Sequence, residues 1–461
     1  MDNMIKVEIL SRELVKPSNP TPSHLKDYKL CFLDQFIPET HGGITFFYSS
    51  NSHFLKSDQN DNKNYCRILK KSLSDTLTDF YPIAGRFKDT STIDCNDNGA
   101  CVVEAKINSN LTDFLTRVNQ TKDIHTLLGK LIPTLDSKTM ELASKCMLIA
   151  QITVFNCGGV SISFCLEHRF CDFSSVMVFL KSWSARSRGG DGKIADPDFV
   201  GSDFLPPQDM PPLPPYHNNN PFENRNTTRL VFEPAKISDL KSRYFTEISD
   251  QNKKISRVEV VLALILKSAI SATRSSSSIS KSEGADLTKS LLFQAVNLRK
   301  RTEPPLPGNA MGNLFWLLPV MIKEEEKKNI EFHEIIDEMR RETTSFLDET
   351  VRKIKGDEEG IGLVFKSAKE KKEIMESVGD VDTYFCSSWC RFPIYEMDFG
   401  WGNPVWVSSG FVSSLNLIVM EDTKCGEGIQ VWVSLDPKVM AIFERDHELL
   451  SFASLNPTIM A

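Results

Sequence analysis

Three things are scarce in this chain of 461 residues, and each scarcity removes a class of function. No run of about 18 apolar residues occurs, so no transmembrane helix is expected. The opening Met1-Asp2-Asn3-Met4-Ile5-Lys6-Val7-Glu8 lacks the basic start and apolar run of a secretory signal, which points to a cytoplasmic protein. Basic residues are in deficit: 54 Lys and Arg against 61 Asp and Glu give a net charge of -7, offering no general attraction for nucleic acid or an anionic membrane. An anionic ligand then needs a local basic site. The 11 cysteines include no C-x-x-C pair and scatter from Cys31 to Cys425, so reduced thiols fit better than disulfides or zinc. In that compartment the sequons at Asn110, Asn119 and Asn226 carry no meaning. No internal repeat is found.

The remaining composition, 41% hydrophobic and 25% charged, is that of an ordinary globular protein too long for one comfortable core, so two domains are expected. Between Gly189 and Asn226, Pro206, Pro207, Pro211, Pro212, Pro214, Pro215 and Pro221 fall among Asp, Asn and Gly. Such a stretch holds neither a helix nor a central strand and reads as an extended crossover. The division is then residues 1–188, a linker at 189–226, and 227–461. Serine-rich Arg274 to Asp286 and charged Lys355 to Gly362 read as loops.

One stretch carries chemistry. Met147 to Phe155 is β-prone, Cys157-Gly158-Gly159 supplies a turn, and Val160, Ile162, Phe164 and Leu166 alternate with Ser161, Ser163 and Cys165, predicting a hairpin with one buried face. If the alternation persists, His168 falls on the apolar side and Glu167 on the other. Val176, Phe179, Leu180 and Trp183 then mark a helix packed on a sheet. His168-Arg169-Phe170-Cys171-Asp172 thus occupies a strand-to-helix turn, where a rigid scaffold fixes a side chain. Imidazole supplies a base near neutrality without tuning, as taking a proton from a hydroxyl requires. The bland alternative is a half-buried histidine satisfied by a carbonyl. H-x-x-x-D alone is weak: a second copy, His333 and Asp337, lies in a predicted helix with the buried stripe Phe332, Ile335, Ile336, Met339, Phe346 and Leu347. There it reads as an i, i+4 surface pair. Further elements are predicted as a helix from Arg257 to about Arg274 and strands near Leu291 to Val296, Gly410 to Met420 and Ile429 to Leu435.

Other signatures follow in order. Leu73-Ser74-Asp75-Thr76-Leu77 runs into Phe80-Tyr81-Pro82-Ile83-Ala84-Gly85-Arg86. Gln294-Ala295-Val296-Asn297-Leu298-Arg299 and Ala310-Met311-Gly312-Asn313 come next, then Ser387-Ser388-Trp389-Cys390-Arg391-Phe392-Pro393 and Asp398-Phe399-Gly400-Trp401-Gly402. Together these resemble the BAHD acyltransferase family of plants over nearly the whole chain. Ser388 to Pro393 and Asn403-Pro404-Val405-Trp406-Val407 look most like its branch that acetylates alkaloid alcohols. The resemblance implies an α/β fold of two similar domains, each a mixed β-sheet flanked by helices in the chloramphenicol acetyltransferase manner, with a channel at their interface that reaches His168 from both faces.

The resemblance also implies roles. His168 is the general base, and Asp172 forms a structural salt bridge with Arg299, although a carboxylate so placed also caps the following helix. Asp398, Gly400, Trp401 and Gly402 shape a rigid loop; direct proton transfer by Asp398 is the competing reading. Ser387 stands where a hydroxyl helps hold the tetrahedral oxyanion, with a strand serine bonded to backbone as its alternative. Cys171 invites an acyl-enzyme scheme, but no base is spaced for it. Ser256 and Arg257 open a helix that could meet a CoA phosphate, or are an N-cap serine and a solvated arginine. Two departures matter: Phe173 follows the motif's aspartate where many members carry glycine, and Ala310-Met311-Gly312-Asn313-Leu314 replaces the Tyr-Phe-Gly-Asn-Cys of flavonoid malonyltransferases. The expected activity is acetyl transfer from acetyl-CoA, a co-substrate rather than a bound cofactor, to a hydroxyl of a monoterpene indole or related alkaloid by a monomeric enzyme. No metal, nucleic acid or membrane partner is expected. Malonyl or hydroxycinnamoyl transfer to another alcohol or amine, and a catalytically silent binding protein, are the alternatives.

Overall fold

Apolar runs that alternate or stay apolar throughout become strands of two mixed sheets in the computed structural model, which describes residues 5–50, 61–121, 124–132, 137–189, 196–210, 225–247, 254–277, 289–323, 330–377, 381–409 and 415–459. The first sheet runs, in spatial order, Val7–Val15, Ala100–Ile107, Leu148–Phe155, Val160–Glu167, His41–Tyr48 and Trp406–Ser408. The second runs Phe315–Lys323, Lys289–Asn297, Asp382–Ser388, Leu417–Asp422, Ile429–Leu435, Asn226–Phe232 and Ser454–Leu455. Each sheet mixes parallel and antiparallel pairs and is flanked by helices. A three-stranded ribbon of Asp27–Lys29, Arg86–Phe87 and Thr92–Asp94 lies beside them.

The predicted hairpin forms, Leu148–Phe155 against Val160–Glu167, with one correction. Every residue of both strands is buried, on both faces. Ile162, Phe164 and Leu166 pack under the helices Asp61–Asp79 and Phe173–Ser187, while Cys165 and Ile149 pack with Cys101 and Ile132 behind the sheet. Serines of the supposedly wet face are therefore inside, and Ser163 and Thr45 satisfy each other across the strands at 2.9 Å. Edge strand Phe315–Lys323 keeps the strict in-out alternation that the central strands lose.

The long helix runs Arg257–Ser277 and the strand near Ile429 is Ile429–Leu435. Glu358 to Gly362 are not loop but the first turn of the helix Glu358–Ser377. Asp357 explains the start: its carboxyl accepts from the Gly360 N–H at 2.9 Å, as an N-cap does. Residues 278–288, 410–414 and much of the proline-rich stretch lie outside the described residues, and the strand expected from Gly410 is described only as Leu417–Asp422. We propose 189–226 as the crossover between units at 1–188 and 227–461, tied back together by Trp406–Ser408, which crosses to pair with His41–Tyr48. Around that strand a shared cluster forms, with Phe47, Leu111 and Phe114 from the first half against Trp406, Val419 and Trp432 from the second. Among the described residues no helix is long and apolar enough to cross a membrane.

Candidate active site

Strand Val160–Glu167 ends at a buried acid that fixes how the chain leaves the sheet. Glu167, 6% exposed, accepts through Oε1 from the Thr40 N–H at 2.9 Å and the Arg169 N–H at 3.3 Å, while the His168 N–H donates to Thr40 O at 2.6 Å. It does not sit on a polar face, as simple alternation suggested. Burial pushes its carboxyl up from 4.5 to about 8, so it is protonated at neutral pH. Its second oxygen faces His41 Nδ1 at 3.6 Å. His41 Nε2 meets Cys146 O at 3.0 Å, and burial lowers the His41 pKa, so a neutral acid faces a neutral ring.

His168 itself is half-buried, with its ring centre 6.0 Å from that of Phe315. Nδ1 lies 3.2 Å from Asn313 Oδ1, and the His168 carbonyl accepts from Asn313 Nδ2 at 2.8 Å. An amide oxygen only accepts, so Nδ1 carries the hydrogen and Nε2 keeps its lone pair. Among the described residues nothing hydrogen-bonds Nε2. The ring is thus held by a side-chain amide rather than by a backbone carbonyl.

Asp172 turns out to combine both roles considered for it. It is the N-cap of helix Phe173–Ser187, accepting from the Ser175 N–H at 2.8 Å, and it takes Arg299 end-on through Nη1 at 2.6 Å and Nη2 at 3.0 Å. Arg299, 2% exposed, also donates to Ala310 O at 3.0 Å through Nε and to Gly312 O at 3.1 Å. The Leu314 N–H closes the knot on Asp172 Oδ2 at 3.2 Å. This brace pins the segment that delivers Asn313, helped by Gly312, whose φ of 117° disfavours any side chain. Cys171 beside it is buried, and its thiol is pushed well above the ordinary range, first by burial and then by Asp172. A nucleophilic thiolate is therefore disfavoured there.

Asp398 lies away from this turn, at the opposite end of the same helix. Its carboxyl accepts from the Gly400 and Gly402 N–H groups at 2.7 and 2.9 Å, and those glycines hold φ of 114° and 103°. Ser187 donates to Phe399 O at 2.6 Å and Arg188 to Asp398 O. Phe399 and Trp401 pack on Tyr48, with Tyr65 edge-on to Trp401 at 5.0 Å.

Ser387 lies near the end of strand Asp382–Ser388. Tyr384 and Cys386 face the second core, so by alternation Ser387 faces the first sheet. Its Oγ accepts from the Trp389 indole N–H at 3.1 Å, and Trp389 stacks flat on Phe173, 3.9 Å between centroids with 5° between planes. That stack joins Ser387 to the start of the helix that follows His168. Ser256 and Arg257 belong elsewhere. Ser256 Oγ accepts from the Glu259 N–H at 3.2 Å, an N-cap, while Arg257 donates to Gly426 O at 2.8 Å, Glu427 O at 2.6 Å and Asp422 Oδ1 at 3.0 Å. It is paired rather than solvated, and lines a cleft of about 290 Å³ with Lys241. His333 and Asp337 do not pair with each other, contrary to expectation. They reach the neighbouring helix Pro234–Glu247, His333 Nδ1 to Glu247 at 3.2 Å and Asp337 accepting from Tyr244 OH at 2.8 Å.

Asn313 and Asp34 were not singled out from sequence. Asn313 ends the Ala310-Met311-Gly312-Asn313 signature, which by itself assigns it no role, and Asp34, in a short 3-10 helix at Phe32–Phe36, has no periodic signal.

The Transferase family profile matches residues 5–450. Limonoid 7-O-acetyltransferase of Citrus sinensis is 33% identical over 471 residues, with 98% of each chain covered. Stemmadenine O-acetyltransferase of Catharanthus roseus is 32% identical, across 96% of this chain and 97% of its own. Among solved structures, vinorine synthase superposes with a TM-score of 0.76 at 31% identity, covering 97% of this chain and 99% of that one. With two helix-flanked mixed sheets and a sequence matched almost end to end, the chain belongs to the Transferase family and is an acyltransferase of the BAHD type.

Proposed function

We propose that this enzyme transfers acetyl from acetyl-CoA to a hydroxyl of a plant specialised metabolite, foremost an alkaloid alcohol of the monoterpene indole type, acting as a cytoplasmic monomer with no permanently bound cofactor. The observation that carries the mechanism is the unpartnered Nε2 of His168 beside an Nδ1 held by Asn313. In a ternary complex the acceptor hydroxyl gives its proton to Nε2 as its oxygen attacks the thioester carbonyl. The resulting oxyanion meets the Ser387 hydroxyl. Because Ser387 Oγ already accepts from Trp389, its own hydrogen is free to donate outward. As the carbonyl re-forms, the C–S bond breaks and the leaving thiolate takes the proton back from the imidazolium. Asp172, Arg299 and Asp398 shape the scaffold and move no proton. The cleft lined by Lys241 and Arg257 suits the coenzyme's phosphates.

Similarity to stemmadenine O-acetyltransferase supports the alkaloid acceptor. Similarity of the same order to a limonoid acetyltransferase supports a second reading, a limonoid-type alcohol. The test is thiol release, with product mass, for acetyl-, malonyl- and coumaroyl-CoA against a panel of alkaloid and limonoid alcohols. An acetylated alkaloid alcohol is expected. Exclusive use of another donor, a product acylated only on nitrogen, or no thiol release with any hydroxylated acceptor would remove this reading.

A further inference from the structure

One buried acid at the site has no part in the reaction so far. Asp34 is 0% exposed and comes from a segment remote in sequence from both motifs. Its Oδ1 accepts from Asn313 N at 2.6 Å and from Asn313 Nδ2 at 2.8 Å, and its Oδ2 accepts from the Cys31 N–H at 2.8 Å. We propose that Asp34 is a positioning residue that sets the tautomer of His168 by locking the side-chain amide of Asn313. The proposal rests on the reading of His168 as the base.

A carboxamide can be turned end for end with little change of shape, so something must choose its orientation. As it stands, both hydrogens of Asn313 Nδ2 are used, one on Asp34 Oδ1 and one on His168 O, and Oδ1 is left for His168 Nδ1. Turned over, the amide oxygen would face a carboxylate and a carbonyl, acceptor against acceptor in a site closed to water. A buried negative charge makes that orientation costly. Burial raises the Asp34 pKa to about 6 against the pull of its hydrogen bonds, so at neutral pH the acid is ionised and the lock is set. The amide then offers His168 only an acceptor, the ring hydrogen stays on Nδ1, and the lone pair stays on Nε2, which has no protein partner. Without the lock either amide orientation is available. The ring can then place its hydrogen on Nε2, where it cannot take a proton from the acceptor.

The experiment compares full-length wild type, Asp34→Asn, Asn313→Ala and the double variant, by steady-state kinetics and by 15N NMR of imidazole-labelled protein. His168 resonances are assigned by their loss in His168→Ala. Wild type should show neutral His168 protonated at Nδ1. Asp34→Asn should show a mixture of tautomers and a kcat lower by about tenfold or more, the scale of outer-shell partners at active sites, with KM for both substrates unchanged. The double variant should lose no more than Asn313→Ala does, because Asp34 acts through Asn313. Asn313→Ala leaves Asp34 in place, so it must give the tautomer mixture even if Asp34→Asn fails to fold. An unchanged tautomer in folded Asp34→Asn, or losses that simply multiply in the double variant, would overturn the proposal. Full activity in His168→Ala would instead remove the base reading, and the tautomer measurement would still judge the lock.

Discussion

The helix Phe173–Ser187 has a family signature at each end, and the ends use their polar groups in opposite ways. At 1.5 Å per residue its 15 residues separate them by roughly 22 Å. At the N-terminal end, Asp172 and Arg299 are both buried and spend their hydrogen bonds on Ser175, Ala310, Gly312 and Leu314. The result is a pinned turn with one ring nitrogen of His168 left over. At the other end, Asp398 folds its carboxyl back on the N–H groups of its own glycines, and Ser187 and Arg188 hold the loop by its carbonyls. The hydrogen bonds of that carboxyl are spent inside its own loop. A site needs a rigid frame with one unsatisfied group aimed outward, whereas a frame needs every group satisfied. On the proposed mechanism that difference makes one signature chemical and the other architectural, although both look equally conspicuous in the sequence.

The largest effect should come from testing the two ends against each other. His168→Ala should lower kcat by about 100- to 10,000-fold, the range of a general base, with an unchanged unfolding midpoint. Asp398→Ala should do the reverse, lowering the midpoint while folded enzyme turns over normally. Equal kcat losses at both ends, with no change in stability, would erase the distinction.

Asp172→Ala should follow, with a lower midpoint in denaturant unfolding. Leaving the Arg299 guanidinium buried and unpaired costs about 3–5 kcal/mol. A midpoint as high as wild type would show that the brace is dispensable.

Glu167 sharpens the comparison through pH. Its folded pKa is raised from 4.5 to about 8, so its contribution to stability is full below 4.5 and is lost as pH rises through 8. Glu167→Gln stays neutral, keeps an acceptor for Thr40 and Arg169, and can donate toward His41. Relative to wild type the variant should gain about 1.4 kcal/mol per pH unit inside that window. Parallel stability curves for the two proteins would show that Glu167 is ionised in the fold.

The smallest effect is expected at Phe173. Removing its stack on Trp389 in Phe173→Ala should cost about 0.5–1.5 kcal/mol beyond the lost burial. It should also favour bulkier acceptors, read as kcat/KM across alcohols of graded size. An acceptor ranking identical to wild type would place Phe173 outside the pocket wall.

Much of this was legible because local patterns carry it. The hairpin at Leu148–Glu167 and the helix behind His168 came from alternation and helical spacing, while the Asp172–Arg299 pair was implied by the family resemblance. Faces were less legible. Ser161 and Ser163 alternate with apolar residues as if facing water, yet the strands are central and covered on both sides. His333 and Asp337 sit at the spacing of a surface pair, yet a neighbouring helix takes each of them separately. Alternation reports which residues share a face, not what lies against it.

By itself the sequence determined the hairpin, the helix after it and the turn that carries His168, since these depend on residues within a few positions of one another, whereas the two-sheet architecture, which pairs strands hundreds of residues apart, was expected from resemblance to a family. Only the tertiary structure decided that Asn313 and Asp34 meet that imidazole, and that Glu167 behind it is sealed from water. Hydrogen bonds between residues 145 and 279 positions apart leave no periodic trace in a sequence, and the cost of burying a charge exists only once the chain has closed around it.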